Sequence, residues 1–211
     1  MQCVTLENVT KSYGSKKVLT DFSLTVDEGD FISIMGASGS GKTTLLNLIG
    51  MLDTPDSGRI SILGCDNPVN SSRQMLRLRR TEVAYLFQNY GLIENETVED
   101  NLNLASRFQR ISKSQKREMY TKALAEVRLA GYEKRKIFTL SGGEQQRVAL
   151  AKVIIKSPKL ILADEPTGSL DPQNRDDILS ILKKLNREGK TIIVVTHDPC
   201  VDSCAKKHIN L

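Results

Sequence analysis

The sequence predicts an α/β fold with three parts: a parallel-sheet core, a small antiparallel β lobe and an inserted α-helical lobe. Three observations carry the prediction. Four short apolar runs rich in β-branched residues, Phe31–Met35, Val83–Phe87, Leu160–Ala163 and Ile192–Val195, are separated by segments of helical periodicity. Such runs belong to a parallel sheet buried on both faces. The first thirty residues alternate instead with period two, and about seventy residues lie between the second and third runs, far more than one crossover helix requires.

In chain order, Val4, Leu6 and Val9, then Phe22, Leu24 and Val26, are broken by Tyr13-Gly14-Ser15 and Asp27-Glu28-Gly29, the pattern of an antiparallel meander. Arg59–Leu63, between Gly58 and Gly64, adds a further strand. Lys42–Ile49 is helical, with Leu45, Leu46, Leu48 and Ile49 apolar. The long insertion spans about residues 89–157 and contains a helix from Ser114 to Ala130, with Met119, Ala123, Val127 and Ala130 on one side and Gly131 as its stop. A second apolar helix, Ile178–Asn186, opens at Asp171-Pro172, a cap followed by proline at the first helical position, and stops near Gly189. Lys207–Leu211 is strand-like, and no C-terminal regulatory domain is expected. We read residues 1–211 as a single domain, a size at which folding buries roughly 70% of the unfolded surface without disulfides or metals.

Composition narrows the function. With 39% hydrophobic residues the chain is globular, and no apolar stretch approaches the ~20 residues that span a bilayer. The start, MQCVTLENVT, lacks the basic and apolar blocks of a secretory signal, so a cytosolic chain is expected and Cys3, Cys65, Cys200 and Cys204 are expected as free thiols. The net charge of +5 is compatible with nucleic acid, anionic lipid or a polyphosphate. The basic cluster Arg73–Arg80 reads as a solvated helix face, and His197, Cys200, Cys204 and His208 lack the hairpin spacing of a zinc site.

Chemistry is concentrated at three places. Gly36-Ala37-Ser38-Gly39-Ser40-Gly41-Lys42-Thr43 follows a strand and precedes a helix, matching G-x-x-x-x-G-K-[ST] in its required context. Glycines let the backbone wrap phosphates, the helix N-terminus binds the anion, Lys42 reaches the β/γ-phosphates and Thr43 offers a hydroxyl to Mg²⁺. Asp164-Glu165, at the exit of an apolar strand, need a cation or a proton to offset desolvation. Asp164 suits Mg²⁺ held through water, and Glu165 can accept a proton from attacking water. Ser141-Gly142-Gly143-Glu144 opens a helix-forming run. Ser141 and Glu144 form a capping box, and the two glycines suggest a second anion site at a helix N-terminus. Gly36, Gln88, Asp164-Glu165 and His197 each follow one of the four parallel-strand candidates, which places them on the rim where α/β sheets bind ligands.

The phosphate loop, LSGGE, LILADE, Ser169-Leu170-Asp171 and His197, in this order, resemble the ATP-binding subunit of an ATP-binding-cassette (ABC) transporter across essentially the whole chain. ADEPTGSLD and FQNYGLIENETVEDNL are most similar to the macrolide-export and lipoprotein-release branch, which includes bacteriocin-export ATPases. The resemblance implies a P-loop NTPase core of RecA-like type, with ATP and Mg²⁺ as cofactors. It implies that Tyr13 stacks on adenine beside Val18, that Gly36 to Thr44 hold the phosphates, and that Gln88 contacts Mg²⁺ or the lytic water. His197 would bond the γ-phosphate. Ser141, Gly142, Gly143 and Glu144 would serve the ATP of the opposite subunit, and Asp171 would lie on the dimer seam. Partners follow: a second copy and a membrane permease, whose coupling helix would meet the loop bearing Tyr90, Leu92 and Ile93, at the cytoplasmic face of the membrane and with no nucleic acid. The rival reading is an ABC ATPase acting mechanically on a cell-division or cell-wall membrane partner.

Overall fold

The structure, a computed structural model, describes residues 1–67, 72–168 and 170–211. Ser169 therefore lies outside the described residues. Two sheets organise the rest. The first is antiparallel: β1 (Gln2–Tyr13) and β2 (Lys16–Asp27) form a hairpin turned at Gly14, with Val4 opposite Val26 and Leu6 opposite Leu24. β4 (Ser57–Ile62) pairs with the other edge of β1, Leu6 opposite Ile60, and β5 (Cys65–Asp66) pairs with β4. The meander is thus centred on β1, with the order β2-β1-β4-β5.

The second sheet is parallel, in the order β6-β7-β8-β3-β9. Its strands are β3 (Phe31–Met35), β6 (Val83–Leu86), β7 (Leu160–Asp164), β8 (Thr191–Val195) and β9 (Lys207–Asn210). All four apolar runs form strands here, and the strand-like tail adds the fifth beside β3. Side chains of the strands alternate between two cores. Phe31, Ala84, Leu86, Ile161, Ala163, Ile192 and Val194 face one, and Ile32, Ile34, Val83, Leu160, Leu162, Ile193 and Val195 the other. A strand buried on both faces cannot carry an alternating polar pattern, which is why these segments read as continuous apolar runs.

Among the described residues, seven helices cover the sheets. α1 (Lys42–Ile49) and α2 (Arg73–Thr81) pack on the core shared with the antiparallel lobe, α2 inserting only Met75 as a buried residue. Between β6 and β7 lie α3 (Val98–Ala105), α4 (Lys113–Glu126), a 3₁₀ turn (Ile137–Thr139) and α5 (Gly142–Lys156); α6 (Pro172–Arg187) and α7 (Pro199–Asp202) follow β7 and β8. α6 begins as expected, with Asp171 capping the N–H groups of Gln173 and Asn174, both at 3.1 Å.

α4 corrects one expectation. It ends at Glu126, not Ala130, and Gly131 is not its stop. Arg128 takes the left-handed conformation (φ 58°), the Leu129 N–H bonds to the Leu124 carbonyl and the Arg128 N–H to the Ala125 carbonyl. This closing pattern normally uses glycine at the left-handed position. Here it turns Leu129 into the core and leaves Ala130 exposed, so burial of a leucine outweighs the local signal.

Candidate active site

The phosphate loop connects β3 to α1 at the carboxyl edge of the parallel sheet. Gly41 caps α1 at φ 102°, and a Cβ there would stand 2.8 Å from Val18 Cγ1. Gly36 is required by close approach, since a Cβ would come within 2.5 Å of the Leu211 carbonyl oxygen and 2.8 Å of Ser40 Oγ. The Leu211 N–H bonds to Met35, so the segment after β9 braces the loop. The Lys42 ammonium donates to the carbonyls of Gly36 (2.9 Å) and Ala37 (2.8 Å), which holds the charge over the loop.

Asp164 and Glu165 face this loop from the end of β7. Asp164 is buried, and desolvation pushes its carboxyl above the usual range, with Glu165 adding to the rise while the Thr43 hydroxyl and Lys42 oppose it. Glu165 sits at φ 46°, a sparsely populated region for a residue with a Cβ. Its Oε1 lies 2.8 Å from Nδ1 of His197, while Oε2 is buried with no hydrogen-bond partner among the described residues. Ser40 Oγ is likewise buried and unpartnered. An unpaired carboxylate oxygen, the Thr43 and Thr44 hydroxyls and an ammonium around one cleft fit a hydrated divalent cation with a polyphosphate.

The cleft has a volume of about 610 Å³ and gathers Tyr13, Val18, Gly36, Ser38, Gly39, Gly41, Lys42, Thr43, Thr44, Gln88, Asp164, Glu165 and His197 around it. Ala37 contributes its carbonyl to Lys42. Lys16 and Val195 also line the cleft, and sequence reasoning did not single them out. Tyr13 is half exposed, with its hydroxyl donating to Asp53 at 2.6 Å. That bond, with burial second, raises the phenol's pKa. Lys11, bonded to Asp53 at 2.8 Å, stands 5.1 Å from the ring centre. Asp53 thus fixes the ring at the cleft mouth, a contact 40 residues distant in sequence that no local pattern marks.

Ser141, Gly142, Gly143 and Glu144 do not line that cleft. The capping box is present: Ser141 Oγ accepts from the Glu144 N–H, and Glu144 Oε2 accepts from the Ser141 N–H at 2.8 Å. This backbone bond leads the causes that hold the Glu144 carboxyl below its usual range. The glycines also have packing reasons, since a Cβ on Gly142 would meet the Tyr90 hydroxyl at 2.8 Å and one on Gly143 the Asn174 side chain at 2.8 Å. Asp171 bonds Asn174, which in turn accepts from Arg147 on α5. Of the three apolar loop residues, Tyr90 and Leu92 pack against the core and Ile93 is exposed. Tyr90 lines a groove of about 290 Å³ with Phe87, Leu52 and Leu104. His197 and His208 have separate partners, Glu165 for the first and Asp202 with Ser33 for the second.

A phosphate loop, paired carboxylates and a histidine on neighbouring strand ends of a parallel sheet define a phosphate-loop nucleotide hydrolase. Residues 19–168 match the family described as ABC transporter, and the chain belongs to that family. It is an ATP-hydrolysing nucleotide-binding domain of that family, whose cofactors are ATP and Mg²⁺. The chain is similar to the macrolide export ATP-binding/permease protein MacB of Campylobacter jejuni (39% identity, 98% of this chain, 32% of the relative) and of Escherichia coli (39%, 99% and 33%). It is also 39% identical to the uncharacterized ABC transporter ATP-binding protein YvrO of Bacillus subtilis, covering 92% of that relative. The chain therefore spans about a third of the length of the macrolide-export relatives it matches. Among solved structures, the ATP-binding cassette MJ0796, in a dimeric post-hydrolysis state bound to ADP and Pi, superimposes with a TM-score of 0.91 at 38% identity, covering 99% of this chain and 94% of that one. Among the described residues no helix is long and apolar enough to cross a membrane.

Proposed function

We propose that two copies of this chain close around two Mg-ATP and drive a membrane permease that exports peptides, lipoproteins or drugs, from the cytoplasmic face of the membrane. Residues 1–211 act as one cassette, with 89–157 as its inserted helical lobe. The observation that carries the reading is the separation of two helix N-termini: the phosphate loop lines the cleft, and Ser141-Gly142-Gly143-Glu144 do not. A nucleotide in the cleft of one copy then needs a second copy to bring its α5 terminus across, with Asp171 at the seam. The dimeric MJ0796 cassette supports this arrangement. The macrolide-export relatives support an export role over mechanical work on a cell-division or cell-wall partner.

Within the cleft, Lys42 and the loop N–H groups would hold the phosphates, Tyr13 and Val18 the base, and Thr43, Gln88 and Asp164, the last through water, would hold Mg²⁺. The bound cation supplies charge neutralisation at the phosphates. Glu165 accepts the proton of the attacking water on its unpartnered oxygen, and His197 turns from Glu165 to the γ-phosphate. The groove beside Tyr90, lined by exposed Phe87 and Leu104, receives an apolar segment of the permease. Nucleic acid is not a partner in this reading. Glu165→Gln tests the proposal: turnover falls by ~10²–10⁴ and ATP accumulates a dimer on size-exclusion chromatography. A Glu165→Gln chain that stays monomeric with ATP overturns it.

A further inference from the structure

We infer that Gln146, on the second turn of α5, is a positioning residue that fixes the catalytic conformation of Glu165. The inference rests on the reading of Glu165 as the base. Gln146 is 1% exposed, and its Nε2 donates to the carbonyl oxygen of Pro166 at 2.9 Å, a fully buried bond. Pro166 follows Glu165 directly, and Glu165 holds the left-handed backbone conformation (φ 46°) that residues with a Cβ seldom adopt. Such a conformation persists only where the surroundings over-determine it. On the strand side it is held by the Glu165 N–H bonding to the Val195 carbonyl at 2.9 Å. On the loop side, the Gly168 N–H closes a turn onto the Glu165 carbonyl at 3.2 Å, and Gln146 ties the next residue, Pro166, to α5.

Packing alone does not account for a glutamine at this place. Its Oε1 is buried with no partner among the described residues, and an apolar side chain of similar size would avoid that desolvation. What an apolar residue lacks is the donor to Pro166. The next residue, Arg147, donates to Asn174, and Asn174 bonds Asp171, so one turn of α5 also grips the far end of the same loop. Gln146 thus links the helix that begins at Ser141 to the carboxylate at the end of β7. Loss of the bond frees Pro166 and lets Glu165 relax away from the attacking water. Misplacement of a catalytic group by about 1 Å can cost on the order of a hundredfold.

The test compares Gln146→Leu, Gln146→Glu and Glu165→Gln in steady-state ATP hydrolysis by the purified chain. Gln146→Leu is expected to lower kcat by about ten- to a hundredfold with KM for ATP within about twofold, and to add little further loss in the Glu165→Gln background. Gln146→Glu carries the sharper signature. A protonated glutamic acid donates to Pro166 and an ionised one does not, so its activity relative to the parent falls as pH rises, whereas a merely structural defect gives a constant ratio. A pH-independent ratio, or a kcat within about twofold of the parent in both variants, overturns the inference. Should Gln146→Leu fail to fold, the pH profile of Gln146→Glu decides alone. If Glu165→Gln itself retains full turnover, the assignment of the base fails instead, and the two failures are distinguishable.

Discussion

Two helix N-termini in this molecule do different work, and their caps show how. α1 begins at Gly41 with no side-chain cap and no acidic residue in its first turn. Its N–H groups and dipole face the cleft uncompensated, with Lys42 adding a full positive charge. α5 begins at Ser141 with both capping-box bonds made and the Glu144 carboxylate already at its positive end. The same terminus that could hold an anion is partly neutralised from within. The contrast teaches that glycine content alone does not mark strong anion affinity, because both termini are glycine-rich and only one is left without its own acceptor.

The largest expected effect comes from removing charge at α1. Lys42→Ala is expected to reduce ATP turnover below detection while leaving the circular-dichroism spectrum unchanged; turnover equal to that of the parent breaks the contrast at its stronger end. Next is Asp164→Asn. Because burial raises the folded-state pKa of Asp164 above its unfolded value, this group stabilises the fold only below the unfolded pKa and costs stability as pH rises to neutrality. The asparagine variant should therefore melt higher than the parent at pH 7 without nucleotide and lose its Mg²⁺-dependent turnover. A lower melting point would show that the carboxylate is better compensated than its burial implies.

At α5, Ser141→Ala removes the cap and should cost ~1 kcal/mol of stability by chemical denaturation, together with weaker ATP-driven dimerisation. Glu144 titrates in the opposite sense to Asp164. Its folded pKa is depressed, so its contribution is present above the unfolded pKa of about 4.5 and is lost as pH falls through the folded value. The smallest effect is at the cleft mouth, where Tyr13→Phe keeps the ring and loses the bond to Asp53, raising KM for ATP by no more than a few-fold. Tyr13→Ala should weaken nucleotide binding by ~1–3 kcal/mol if the ring stacks on the base.

Much of this was legible in the sequence because it is written in local chemistry. The phosphate loop needs glycines next to Lys42 and Thr43, the strand ends need Asp164 and Glu165, and the capping box needs Ser141 three residues before Glu144. Each is a short-range requirement, and the structure brings the first two to one cleft. What was not legible depends on contacts between distant segments. The Tyr13–Asp53 bond, the Glu165–His197 pair and the Gln146–Pro166 bond join residues 20 to 40 positions apart. The end of α4 escapes the local pattern for the same reason: its left-handed turn at Arg128 is set by the burial of Leu129 in the core.

Gly36 carries a consequence for anyone who would treat the cassette as modular. Its missing side chain is demanded by the backbone at Leu211, and that segment hangs on Met35, the last residue of the strand that feeds the loop. The nucleotide-gripping loop and β9 are thus one mechanical joint. A graft that exchanges the tail between related cassettes, or a fusion that drags on it, would be transmitted to the phosphate grip before any catalytic side chain had been changed.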